Sequence, residues 1–216
     1  MPILTKSEIL NRVNIDPPLV EDFQPDSLKP ASYDLRLGDE YLRGGQYYKL
    51  DEKTAPYLEI PAHDLVVVCT QEKVNIPENL IARFGLRFSL AMKGLVLNNE
   101  PQIDPGYKGR LFCLLYNLTD RPVILTYNKT FATIEFETTQ STAEVYSGAF
   151  QRSDHIPDVV KEILPESGLK ALSDDFKEMK TQLTKKVDRF YTQFLTIITI
   201  VIAILGLLIG KLLLGL

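Results

Sequence analysis

Pro101–Asn117 reads PQIDPGYKGRLFCLLYN, and its reading decides the fold. Asp104-Pro105-Gly106-Tyr107 predicts a tight turn: Pro105 fixes φ, and Gly106 supplies the positive φ that a Pro-Gly corner needs. Arg110–Tyr116 then reads as a strand. The corner holds a carboxylate and an aromatic ring on either side, a geometry suited to gripping a small polar ring such as a sugar. The plainer reading of the same residues is an ordinary hairpin corner.

Working outward, short strands are predicted on both sides. Downstream are Val123–Tyr127 and Phe131–Phe136, with Asn128, Lys129 and Thr130 as the turn between them. Upstream, Tyr33, Leu35 and Leu37 alternate with Asp34 and Arg36, the period of a half-buried strand. That alternation puts Asp34 and Arg36 on one face, as an ion pair worth little. Gly44-Gly45 is a turn before Gln46–Leu50. Leu58–Ile60 precedes Asp64–Thr70, whose LVVVC core reads as a fully buried strand, Val74–Asn79 as a loop, and Leu80–Phe84 as a strand. Many short strands with regular turns predict an all-β barrel or jelly roll. A capping box, Thr5 to Glu8 (TKSE), opens a short helix at Lys6–Val13, and Asp16-Pro17-Pro18 ends it. Arg87–Gly94 (RFSLAMKG) reads as a short helix capped by Gly94. Its first amides with Arg87 and Ser89 suit phosphate; the plainer reading is a connecting helix with a solvated arginine.

Composition narrows the function. The chain has 216 residues and a net charge of −4, enough for one core-bearing domain with appendages, and no basic face points to nucleic acid. Cys69 and Cys113 sit in apolar runs and read as buried small hydrophobes. The chain carries two histidines, His63 and His155, and no C-x-x-C, H-x-E or H-E-x-x-H pattern, so no zinc-type deaminase is expected. Met1–Arg12 has no apolar core of signal-peptide length.

Three stretches, in order over roughly residues 1–145, resemble the dCTP deaminase/dUTPase superfamily. They are Leu28–Asp39 (LKPASYDLRLGD), Gly85–Leu97 (GLRFSLAMKGLVL) and the central turn with its strand. The resemblance implies a mainly β, dUTPase-like β-barrel or jelly roll, a homotrimer, and a pyrimidine deoxynucleotide or nucleotide-derived ligand accompanied by Mg2+. It assigns Asp34 to organising the triphosphate and, through it, the magnesium. Arg87 and Ser89 match the phosphate motif, Asp104 would be base and sugar contact, and Tyr107 would stack under the deoxyribose.

Several positions depart from that pattern. Phe88 stands where the family has a serine, Met92 where the deaminases have a second arginine, and Asn128 and Thr133 replace a glycine and a ligand-reading glutamine. Deamination at C4 of cytosine needs a water made nucleophilic and a proton for the leaving amine, work for a carboxylate of tuned pKa. The resemblance puts that glutamate at Leu114, and a leucine moves no proton. Glu100, the nearest spare carboxylate, precedes the turn. A dUTPase needs no acid there, so Asp104 would suffice, but the glycine-rich C-terminal arm of dUTPases has no counterpart.

The last third reads as a tail. Residues 1–150 form the β domain, and 151–168 a linker. Over 169–193, Leu169, Leu172, Phe176, Met179 and Leu183 fall at heptad steps, with Val187, Phe190 and Phe194 continuing after a stutter, a coiled-coil seam or one amphipathic helix on the barrel. Phe194–Gly210 is uncharged and apolar, interrupted by Lys211, so 194–216 is expected to cross a lipid bilayer as a single-pass C-terminal anchor. Lys185, Lys186 and Arg189 precede it and predict a cytoplasmic N-terminal domain. The expected protein is a membrane-anchored, catalytically degenerate deoxynucleotide-binding or signalling module. The alternative is an active hydrolase, of dUTPase type through Asp104 or a dCTP deaminase.

Overall fold

The computed structural model describes residues 2–98, 102–148, 150–159 and 168–214. Glu100, Pro101 and the second half of the expected linker lie outside them. The chain divides into two compact units, Met1–Lys170 and Ala171–Leu216.

The first unit is mainly β. Its strands are β1 (Tyr33–Arg43), β2 (Gln46–Lys49), β3 (Tyr57–Ile60), β4 (Leu65–Asn75), β5 (Leu80–Leu86), β6 (Leu95–Leu97), β7 (Gln102–Ile103), β8 (Lys108–Asn117), β9 (Val123–Thr126) and β10 (Thr130–Thr138). One sheet runs β6-β8-β4-β1-β10-β5-β7, with β2 on β1, and β3 pairs with β9 in a second. The alternation read from the sequence buries Tyr33, Leu35 and Leu37 against Val66, Val68, Phe131 and Phe136. Each fully buried side chain of this size contributes about 1.5–3 kcal/mol of transfer free energy. Bulges at Leu35/Arg36, Leu37/Tyr41 and Cys69/Lys73 bend the strands that close around this core.

Helix α1 (Lys6–Val13) starts and stops at the expected residues. The backbone N–H and the hydroxyl of Thr5 each donate to Glu8 Oε2 at 2.7 Å, which holds the Glu8 carboxyl below its ordinary pKa. Other expectations are corrected. The loop expected from Val74 begins two residues later, because Val74 and Asn75 still pair with Gly109 and Lys108. The helix expected over Arg87–Gly94 is a single turn, α2 (Phe88–Ala91), with Arg87 extended as its N-cap. The Asp34–Arg36 pair does not form. The bulge after Leu35 turns Arg36 to Glu72, whose Oε1 accepts from Arg36 Nε at 2.6 Å.

The second unit is carried by α4 (Gly168–Leu214), 47 residues without a break, about 70 Å at 1.5 Å per residue. Among the described residues one helix, over Ala171–Gly206, is long and apolar enough to cross a membrane by length and composition. The seam side chains Leu172, Phe176, Met179, Leu183, Val187 and Phe190 are all exposed on the single chain.

Candidate functional site

The central turn is built as its residues require. Gly106 adopts φ +80°, and Tyr107 N–H donates to Asp104 O at 3.2 Å. Two backbone bonds pin the corner to the end of β4: Gly106 N–H to Ile76 O at 2.7 Å and Ile76 N–H to Tyr107 O at 2.8 Å. Asp104 is exposed, and Gln102 Nε2 donates to it at 3.3 Å. Tyr107 is buried, its hydroxyl donating to Arg110 O at 2.6 Å and its ring 5.9 Å from that of Tyr146. Burial, then Tyr146 and Asp154, push its phenol up.

What covers Tyr107 is a strap, residues 139–148 and 150–156, that had no signal in the sequence. It is irregular backbone held by bonds between residues far apart in the chain. Tyr146 N–H donates to Pro105 O at 2.8 Å. Gln151 brackets the corner: Nε2 donates to Gly106 O at 2.8 Å, and Oε1 accepts from Lys108 N–H at 2.8 Å. Val145 seats so tightly that a Cβ on Gly106 would meet its Cγ1 at 2.3 Å, and one on Gly109, at φ +139°, would meet Ser153 O at 2.7 Å. Lys73 pairs with Asp154 at 2.7 Å, His155 Nδ1 lies 2.9 Å from Glu40 Oε1, and Ile156 N–H donates to Glu40 Oε2 at 3.2 Å. Ile156 opens α3 (Ile156–Val159).

A second group gathers around Asp34, 5 % exposed. Thr133 Oγ1 donates to its Oδ1 at 2.8 Å; Lys29 Nζ and Arg87 Nη2 face its Oδ2 at 3.6 and 3.8 Å. Arg87 Nη1 also donates to Thr130 Oγ1. Thr133 thus joins the group as a partner of Asp34, and Lys29 and Thr130 are members that spacing alone did not single out. Asn128 sits at φ +58°, the left-handed conformation that explains why it can stand at a glycine position, and its Oδ1 accepts from Arg36 Nη1 at 2.7 Å. With Oδ1 taken by a hydroxyl and Oδ2 facing two cations, Asp34 does not fit direct coordination of magnesium. Among the described residues no three His, Cys, Asp or Glu side chains gather as a metal site.

The structure brings Asp34 and Arg87 together, with Ser89 exposed on the turn of helix beside them. It does not bring Asp104 and Tyr107 to them. Ile103 pairs with Ala82 and Gln102 with Arg83, which sets Asp104 level with Ile81. Arg87 lies six residues further along the same strand line, roughly 20 Å away at about 3.3 Å per residue. A cleft of ≈ 630 Å³ opens beside Gly106 between Arg12, Asp16, Ile76, Glu78 and Val145, and none of the five candidate residues lines it.

Leu114 lies on β8 opposite Val67. Its side chain and that of Phe112 pack on an apolar cluster of Leu42, Val67, Cys69 and Ile156, the last brought by the strap. Burial raises the Cys69 thiol pKa, and the Arg110 guanidinium, itself paired with Asp39 at 2.6 Å, offsets part of that rise.

Comparison with known proteins agrees with this fold. A family model for dCTP deaminase-like proteins matches residues 3–139. The dCTP deaminase of Pyrococcus abyssi is 34% identical over 139 residues, covering 64% of this chain and 88% of that protein. A dUMP-forming dCTP deaminase of Methanobrevibacter smithii is 29% identical over 185 residues, 77% of this chain and 92% of that protein. Among solved structures, the 2'-deoxycytidine 5'-triphosphate deaminase of Agrobacterium tumefaciens superposes with a TM-score of 0.53 at 18% identity, over 63% of this chain and 48% of that one. Sequence motifs, strand order and matched span converge: the chain belongs to the dCTP deaminase-like family.

Proposed function

We propose that the protein is a membrane-anchored, deoxynucleotide-binding signalling module that does not deaminate. The observation that carries this is Leu114: the position expected to hold the proton-moving glutamate is a leucine packed against Leu42, Val67, Cys69 and Ile156. A carboxylate is the group that could both activate water and protonate the leaving amine, and this face offers an aliphatic surface instead.

In this reading the two halves of the site meet between copies of the chain. Asp34, Arg87 and Ser89 of one copy bind phosphate, while Asp104 and Tyr107 of a neighbour take the sugar and base. The roughly 20 Å between the halves within one chain supports a composite site, as a homotrimer closed by an α4 coiled coil would provide. The 1–150 domain stays cytoplasmic, and residues 194–216 anchor it in the bilayer.

The strap supplies the coupling. For Tyr107 to meet a sugar, Tyr146 must leave its ring, so ligand and strap compete for one surface. Strap release is then a population shift driven by differential affinity. The test uses full-length protein in detergent. Deoxynucleotides bind calorimetrically, dCTP is not converted to dUTP, and Tyr146→Ala tightens binding. Conversion of dCTP at an enzymatic rate sinks the reading, and extraction of the chain from membranes by alkaline carbonate sinks the anchor.

One observation favours a second reading, a dUTPase-type hydrolase: Asp104 is exposed, with a long bond from Gln102 that leaves its carboxylate open to water. Pyrophosphate release from dUTP with magnesium, abolished by Asp104→Asn, would establish it.

A further inference from the structure

Charge along α4 is sorted by position. The helix carries seven Lys or Arg against four Asp or Glu, a net of +3 in a chain of −4, so the rest of the chain carries −7. Over residues 174–182 the charges are mixed and engaged: Lys177 Nζ lies 3.4 Å from Asp174 Oδ1, and Gln182 Nε2 donates to Glu178 Oε1 at 3.2 Å. From residue 179 onward the sequence holds one acid, Asp188. Lys185, Lys186 and Arg189 are exposed there, and among the described residues none of them is ion-paired to a carboxylate.

Their level on the helix follows from the stretch after them. Arg189 and Lys211 bracket 21 uncharged residues. That is about 33 Å of helix at 1.5 Å per residue, against a hydrocarbon core of about 30 Å. A span centred on this stretch sets Arg189 at the edge of the core. Lys186 and Lys185 come about 4.5 and 6 Å further out, inside a headgroup layer roughly 5–8 Å deep. At about 100° per residue the three fall within an arc of about 100°. Leu183, Val187 and Phe190 of the seam lie about 140–200° round the helix from Lys185, so packing of the seam leaves the cations turned outward.

We propose that Lys185, Lys186 and Arg189 form a collar that binds the headgroups of anionic phospholipids. The proposal rests on the membrane anchor of the reading above and names the lipid class that the anchor meets. A guanidinium at Arg189 can hold a headgroup phosphate through two parallel N–H bonds, and the two lysines act as point charges. A zwitterionic headgroup carries its own counter-charge, so the lipid of net negative charge is the one selected. Each basic residue beside an anionic surface contributes about fivefold, and Asp188 offsets one of the three. Lys180 lies about 13.5 Å beyond Arg189, more than the Debye length of about 8 Å at physiological salt, and stands outside the collar.

The experiment reconstitutes the full-length protein in phosphatidylcholine vesicles. Electron paramagnetic resonance measures how spin-labelled phosphatidylglycerol and phosphatidylcholine partition to the protein. Phosphatidylglycerol is enriched at least about fivefold at low salt, and the enrichment is lost at about 1 M salt, where the Debye length is about 3 Å. Lys185→Gln/Lys186→Gln/Arg189→Gln brings the ratio near one. Lys170→Gln/Lys177→Gln/Lys180→Gln, which removes the same charge further from the span, keeps the enrichment, and so does an excess of free glycerol phosphate. Equal partition in the parent, a ratio unmoved by the collar variant or by salt, or its loss in the distal variant overturns the collar. Competition by free glycerol phosphate overturns the lipid as the source of the bound phosphate. These results leave the anchor standing, whereas release of the chain from the vesicles by alkaline carbonate removes anchor and collar together.

Discussion

Leu114→Glu would return to β8 the acid that a deaminase of this family needs, and the structure predicts that the domain resists it. Leu114 is half-buried on the cluster of Leu42, Val67, Cys69 and Ile156. Losing half of a leucine's burial costs about 1 kcal/mol, and placing a partly desolvated carboxyl there without a partner adds roughly 1–3 kcal/mol. The sum, about 2–4 kcal/mol, is measurable as a shift in urea midpoint of the purified full-length protein. Its pH dependence identifies the cause. Desolvation raises the introduced carboxyl's folded pKa above its unfolded value of about 4.3. The folded state then binds more protons, so the penalty is small below that unfolded value, grows as pH rises through the folded value, and is complete above it. Ile156 should loosen with it, exposing residues 150–156 to limited proteolysis. Leu114→Gln separates polarity from charge, because its penalty should not vary with pH. A substituted protein as stable as the parent at pH 7.5 would refute the closed apolar face. If it also converted dCTP to dUTP, the remaining catalytic groups would have to be in place.

Glu72 is fully buried and accepts from Tyr33 Oη, Arg36 N–H and Arg36 Nε at 3.3, 2.8 and 2.6 Å. Glu72→Leu strands Arg36 and should cost about 3–5 kcal/mol, near 10 °C in Tm for a domain of this size, with Glu72→Gln milder; a calorimetric Tm within about 2 °C of the parent would contradict the network. At high pH, burial and then the Glu72 charge push Tyr33 up to about 12. An unfolded tyrosine ionises near 10, so the folded state holds its proton longer and stability falls as pH rises from about 10 towards 12. Absorbance titration at alkaline pH should find tyrosines that ionise only on unfolding, and a titration in which all ten ionise together near 10 would count against that burial.

Local grammar made much of this fold legible. Alternation placed β1 and its buried Tyr33, Leu35 and Leu37, and the TKSE box placed α1 to the residue. What stayed hidden depended on partners far away in the chain. Gln71, Glu72 and Lys73 fell outside the strand expected over Asp64–Thr70, yet β4 runs on through them, with Glu72 meeting Arg36 and Lys73 meeting Asp154. A bulge, which no periodicity announces, separated Asp34 from Arg36. Of the candidate site, motif order singled out Asp34 and Arg87, which lie 3.8 Å apart. Thr130 was not, since its role comes from strand register, nor was Lys29, which a turn closed by Lys29 N–H to Ser32 O brings to Asp34; neither was the strap, whose bonds reach residues far away in the chain.

The strap has a thermodynamic corollary. If a ligand at the corner loosens residues 139–148 and 150–156, then by linkage anything that pulls on those residues changes the ligand's affinity by the same factor. In the proposed function, a tail that pulled on them would act on the same equilibrium as the ligand. Crowding or stretching of the tails in a bilayer would then retune what the domain senses, so its sensitivity would be a property of the membrane as much as of the binding surface.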